Sequence, residues 1–163
     1  MARKKKQPGD APEIVNRRAR RDYEIAETLE VGVVLVGTEV KSIREGRVSL
    51  GEGYVRVDDN PLSLKLYNVH IGEYAPAGTG PRQHKTTGIR VLLAHKREIR
   101  KLFLKSTVKG VTIVPLKMYF NKDGRVKLLI GLGTGKKHHD KRQDLRKREA
   151  EKDIRRAMSH KMR

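Results

Sequence analysis

The sequence predicts a mainly β fold with flanking helices: a small antiparallel barrel of the oligonucleotide-binding (OB-like) type, followed by a C-terminal tail disordered in the free state. Two observations carry the barrel. Apolar and polar residues alternate on both sides of two turn clusters, as they do in strands with one buried face. Only one stretch, 94–109, holds a sustained helical period, so helices flank the strands rather than link parallel ones. A third observation, the pattern of charge, sets the limits of the folded part. Residues 1–15 read as a disordered basic arm, 16–134 as the barrel domain and 135–163 as a basic tail that turns helical on binding.

Taken in order, Ile25, Leu29, Val31 and Val33–Val36 form an apolar stretch broken by Gly32 and closed by Gly37, which predicts two short strands around a bend. Thr38 is placed to cap a short helix with Glu39 in its first turn, Val40 and Ile43 facing inward and Gly46 as its stop. Tyr54, Val55 and Val57 lead into the turn 58–61, and Leu62, Leu64 and Leu66 alternate back, predicting a hairpin. Residues 72–88 hold four glycines and two prolines and predict a long mobile loop. Ala94–Lys109 puts Ile99, Leu102, Phe103 and Val108 on one helical face, capped by Gly110. A second hairpin follows: Val114, Leu116, Met118 and Phe120 alternate, 121–124 turn, and Val126, Leu128, Ile130 and Leu132 return. Its polar face carries Lys117, Lys122, Arg125 and Lys127.

The net charge of +19 over 163 residues points to a polyanionic partner. Residues 1–21 supply +6 and residues 136–163 supply +7, so the 114 residues between them hold only +6. That division fits arms that track phosphates beside a folded domain. The absence of cysteine excludes a disulfide framework and cysteine-ligated zinc. No run approaches the roughly 18 apolar residues of a membrane span, and the first residues lack the apolar core of a signal peptide, which predicts a cytoplasmic protein with no membrane partner. With two Phe, five Tyr and no Trp, the chain is poor in stacking platforms, which favours RNA recognised by shape and phosphate contacts; Tyr23, Tyr54, Tyr67, Tyr74 and Tyr119 are the possible stackers.

The motifs that suggest other chemistry fail on spacing. GLGTGKK at 131–137 leaves three residues, not four, between Gly131 and the Gly-Lys pair and has Lys137 where a P-loop needs a hydroxyl; it reads as a flexible hinge. His138, His139 and Asp140 sit among cations that would repel a metal. His70, His84 and His95 have no visible acid partner. No enzyme, cofactor or metal is expected. Asp144 and Arg148 lie at helical spacing in the tail, consistent with a segment that becomes helical once a polyanion neutralises it.

Several blocks together resemble the SmpB family, the SsrA-binding proteins of bacterial trans-translation: NRRARRDYEI at 16–25, GTEVKSIREG at 37–46, LLAHKREI at 92–99, VPLKMYF at 114–120 and GKKHHDKR at 135–142. The resemblance implies an OB-like barrel that binds the tRNA-like domain of transfer-messenger RNA (tmRNA, SsrA RNA). It implies delivery of that RNA, carried with elongation factor Tu, to stalled ribosomes for rescue and tagging. The tmRNA-binding positions it implies are Asn16, Arg17, Arg18, Arg20, Glu30, Lys41 and Arg90. Where the family carries RxRKLLL, this chain has TGIRVLL at 87–93, and Arg90 alone remains of that basic set. Lys136, Lys137, His139, Asp140, Lys141, Arg142, Arg146, Lys147 and Arg148 are implied as a ribosome-binding tail that enters the vacant mRNA channel and the small-subunit decoding centre, with His139 stacking on a base there. A monomer is expected. A basic structural ribosomal protein or another structured-RNA-binding protein is the alternative that composition leaves open.

Overall fold

The computed structural model describes residues 12–78, 80–136 and 158. Its elements are strand β1 (Ile14–Val15), helix α1 (Arg17–Asp22), β2 (Tyr23–Val33), α2 (Gly37–Arg44), β3 (Val48–Ser49), β4 (Tyr54–Asp59), β5 (Leu62–Tyr67), β6 (His70–Ile71), a 3-10 turn (Ala75–Ala77), β7 (Arg90–Leu93), α3 (Lys96–Ser106), β8 (Val111–Phe120) and β9 (Val126–Gly135). The main sheet runs β1-β8-β4-β5-β7-β2-β9, every pair antiparallel, and β9 also pairs with β8. This bends the sheet into an OB-like barrel that is not strictly closed, since β4 meets β8 at one residue pair, Val55 with Ile113.

Both predicted hairpins form, β4–β5 across 59–62 and β8–β9 across 121–125. The two short strands expected around Gly32 are instead one strand, β2. Gly32 pairs with Lys127 of β9 and with Leu93 of β7, so the chain passes from one neighbour to the other without turning. The strand β7 had no clear sequence signal, because its alternation, buried at Arg90 and Leu92 and exposed at Val91 and Leu93, spans only four residues and begins with a cation.

Strict alternation predicted that Val114, Leu116, Met118 and Phe120 share one face. They do not. Pro115 has no N–H to give the ladder, and the register of β8 shifts between Pro115 and Lys117. Ile113 and Met118 enter the main core with Val31, Leu64, Leu66, Leu128 and Ile130, while Val114 and Leu116 join Ala19 in a second cluster on the outside of the barrel. A matching shift in β2 between Ile25 and Glu27 turns Ile25 outward into the same cluster. The two irregularities thus build the apolar seat on which α1 rests.

GLGTGKK is not a hinge: Gly131 and Gly133 lie within β9, paired on one side with Val114 and Thr112 and on the other with Thr28 and Ile25. A Cβ on Gly131 would come within 2.8 Å of Leu116 Cδ1, and one on Gly133 within 3.0 Å of Ile25 Cδ1. The glycines are therefore flat sheet positions over which outer side chains pack.

Helix α2 begins one residue before Thr38 and is capped by Glu39, whose Oε2 accepts from the Val36 N–H at 2.9 Å. It stops at Gly46, in the left-handed region at φ 76°. Helix α3 is shorter than expected. Ile99 and Leu102 are buried, but Ser106 and Thr107 turn their hydroxyls onto the Phe103 carbonyl and end the helix, leaving Val108 exposed.

The segment 72–88 is tied down rather than loose. Gln83 accepts from the Tyr74 N–H and donates to the Tyr74 and Gly78 carbonyls, and His84 lies 2.9 Å from Thr38 Oγ1 and 3.2 Å from the Ile71 carbonyl. The guanidinium of Arg90 gathers the carbonyls of Lys85, Thr86 and Gly88. Composition registered the glycines and prolines but not these three anchors.

Candidate nucleic-acid interface

Asn16 explains why a six-residue helix stands at the start of the fold. Its Oδ1 accepts from the Ala19 N–H at 3.1 Å as an N-cap, and its Nδ2 donates to the carbonyls of Leu50 at 2.9 Å and Pro115 at 2.8 Å. Its backbone N–H donates to the Leu116 carbonyl. The residue is 5% exposed. Its side-chain hydrogen-bonding groups are engaged within the protein, so Asn16 positions α1. The same cap turns Ala19 inward onto Val114 and Leu116, leaving Arg17, Arg18 and Arg20 on the exposed side of the helix. Arg18 pairs with Glu52, both well exposed.

Further along the same outer face lies Glu30. Register runs from Glu30 to Leu129 on β9 and on to Lys117 on β8, and Leu129 packs against the cluster that seats α1. One continuous surface therefore carries the arginines and Glu30. Glu30 accepts from the Tyr119 hydroxyl and lies 3.5 Å from Lys127 Nζ. Tyr119 is pushed up to about 12, first because its proton is held by Glu30 and then by burial and the carboxylate charge. Lys117 Nζ sits 4.9 Å from the centre of the Tyr119 ring and 2.8 Å from Glu13. The Glu30 carboxylate thus holds the Tyr119 phenol and lies beside the Lys127 ammonium on the face that also carries Arg17, Arg18 and Arg20.

The remaining sequence-derived residues divide. Lys41 is exposed on α2, its ammonium 4.9 Å from the centre of the Tyr74 ring. It stands apart from the first group, since α2 packs beside β6 whereas α1 packs on β2 and β8. Arg90 is the clear correction. It is 3% exposed, ion-paired to Glu39 at 2.7 Å and bonded to the Val69 carbonyl at 2.7 Å. A guanidinium so enclosed cannot reach a phosphate. Lys136, immediately after β9, donates its backbone N–H to the carbonyl of Asp22 at the end of α1. Lys137, His139, Asp140, Lys141, Arg142, Arg146, Lys147 and Arg148 lie outside the described residues.

Sequence reasoning did not couple Glu30 to Tyr119, 89 residues away, or Glu39 to Arg90. The β8–β9 register would have been needed to find the first pair, and no local pattern signals the second. Among the described residues, no group of three or more His, Cys, Asp or Glu could hold a metal ion, and no helix is long and apolar enough to cross a membrane.

A barrel of this topology with an arginine-bearing helix clamped to its outer face defines a basic protein of the OB-like β+α class. A family model described as SmpB protein matches residues 13–160. The chain belongs to the SmpB protein family. It is 50% identical over 153 residues to an SsrA-binding protein of Thermosynechococcus vestitus, covering 92% of this chain and 97% of that one. It is 47% identical over 161 residues to an SsrA-binding protein of Limosilactobacillus fermentum, covering 98% and 99%. A solved structure, "tmRNA-SmpB: a journey to the center of the bacterial ribosome", superposes with a TM-score of 0.66 at 46% identity, covering 78% of this chain and 87% of the other.

Proposed function

We propose that this protein binds tmRNA and carries it to stalled ribosomes in trans-translation, acting in the cytoplasm as a non-enzymatic, monomeric RNA-binding factor. The observation that carries the reading is the match to SsrA-binding proteins over nearly the whole chain, joined to a cationic helix that the fold holds rigidly outward. In this reading the tRNA-like domain of tmRNA lies on the face formed by α1 and the outer side of β2, β9 and β8. Arg17, Arg18 and Arg20 meet phosphates. Glu30 acts with Tyr119 and Lys127 as one polar unit, and Lys41 contributes from α2.

The chemistry fits a structured RNA. The cations are held on rigid elements and suit phosphate contacts, which read backbone spacing rather than base sequence. The C-terminal tail, starting at Lys136 beside α1, enters the vacant mRNA channel and the decoding centre. Elongation factor Tu joins through the shared tmRNA. Truncation after Gly135 tests the division of labour: tmRNA affinity stays within a few-fold while peptide tagging on stalled ribosomes is lost. A truncated protein that still tags refutes it. Replacing Arg17 and Arg20 with Ala lowers the salt dependence of tmRNA binding by about one unit of log-log slope for each phosphate no longer neutralised; an unchanged slope places the RNA on another face.

A further inference from the structure

Tyr54 of β4 and Tyr67 of β5 are register partners on the outside of the barrel, their rings parallel within 8° and 5.3 Å apart. Such a pair stabilises a hairpin wherever it stands. Packing alone does not account for its setting. Tyr54 remains 41% exposed and lines a polar cleft of about 410 Å³ between α1 and the segment 51–54. Arg18 lies along the same cleft, in the space left by Gly51, where a Cβ would come within 3.3 Å of Arg18 Cδ. The ion pair that Arg18 makes with Glu52 is well exposed on both sides. Such pairs contribute little, so a phosphate can take the place of Glu52.

We propose that Tyr54 is a stacking platform for one unpaired nucleobase of the bound RNA, with Arg18 taking the adjoining phosphate. The inference rests on the RNA-binding reading above and adds a nucleobase site to it. Stacking needs an aromatic face that is exposed, rigid and next to a cation. Tyr67 fixes the ring from one side, so little side-chain freedom is lost when a base covers the other. The cleft falls within the size range of small-ligand sites and is open at the surface, so a base turned out of a loop can enter without displacing core residues.

The test compares tmRNA affinity for Tyr54→Phe, Tyr54→Leu and Tyr54→Ala at fixed salt, with 254 nm cross-linking of the wild-type complex followed by mass spectrometry. Tyr54→Phe keeps the π face and binds as the wild type. Tyr54→Leu and Tyr54→Ala weaken binding by roughly 5- to 150-fold, and Tyr54→Leu leaves the salt slope unchanged because every phosphate keeps its cation. A nucleotide appears cross-linked to the peptide containing Tyr54. Should Tyr54→Ala fail to fold, Tyr54→Leu, Tyr54→Phe and the wild-type cross-link still decide. The inference is overturned if Tyr54→Leu binds within twofold of wild type, or if cross-links form only elsewhere. A wild-type chain that binds tmRNA no better than an unrelated RNA of equal length overturns the parent reading instead, and this one with it.

Discussion

Replacing Arg90 with Ala should unfold the anchor of the 72–88 segment and cost the domain much of its stability. The guanidinium donates to Glu39 Oε1, to the Val69 and Gly88 carbonyls at 2.7 and 2.8 Å, and to the Lys85 and Thr86 carbonyls at 3.3 and 3.2 Å. The Glu39 side chain is 8% exposed, so the substitution strands a carboxylate away from water. Breaking one side of a buried pair costs about 3–5 kcal/mol, against a total near 5–15 kcal/mol for a domain. At roughly 2–4 °C per kcal/mol for a chain of this size, the melting temperature drops by about 6–20 °C. Thermal denaturation followed by circular dichroism measures it, and trypsin provides an independent readout. Cleavage after Arg82 and Lys85 accelerates once the carbonyls nearby lose their clamp. The double variant Glu39→Leu, Arg90→Met leaves no buried charge and melts above either single variant. A protein with Arg90→Ala that melts within about 3 °C of wild type and resists trypsin equally would refute the assignment of Arg90 to the interior.

Three further outcomes follow from the same geometry. Asn16→Ala removes the α1 cap and leaves two carbonyls unpaired, costing about 2–4 kcal/mol in urea denaturation; Asn16→Asp fares little better, since a carboxylate cannot donate to the Leu50 and Pro115 carbonyls. Tyr119 holds its proton to about 12, above the ordinary phenol value near 10, so absorbance at about 295 nm shows a tyrosine titrating well above pH 10, and Glu30→Gln brings it back toward the ordinary phenol value. Because that folded-state value is raised, the stability it contributes is complete below pH 10 and is lost as pH rises from 10 to 12; a wild-type pH profile no steeper there than that of Glu30→Gln counts against the bond. Gly133→Ala drives a Cβ to within 3.0 Å of both Tyr23 Cβ and Ile25 Cδ1 and 3.2 Å of the Glu24 carbonyl, costing about 1–3 kcal/mol as overpacking; a neutral result in thermal denaturation would restore the hinge reading of this glycine run.

Both hairpins, the two longer helices and the basic character of both ends were legible in the sequence, because each rests on local rules: alternation, turn residues, a stop at Gly46 and a count of charges. The arginines of 16–21 could be placed on a surface from their number alone. The sequence by itself did not determine which polar residues stay at that surface. Asn16 and Arg90 carry polar groups that ordinarily face water, yet both are buried, because backbone carbonyls and a carboxylate from segments up to 99 residues away converge on them. The seat for α1 was equally hidden, since it depends on where Pro115 and Ala26 disturb their ladders, and register is a property of strand pairs rather than of one strand. Composition determined that this protein carries the charge to meet a polyanion. Only the tertiary structure decided which of its cations are left facing outward, because burial is settled by the partners that long-range pairing brings together.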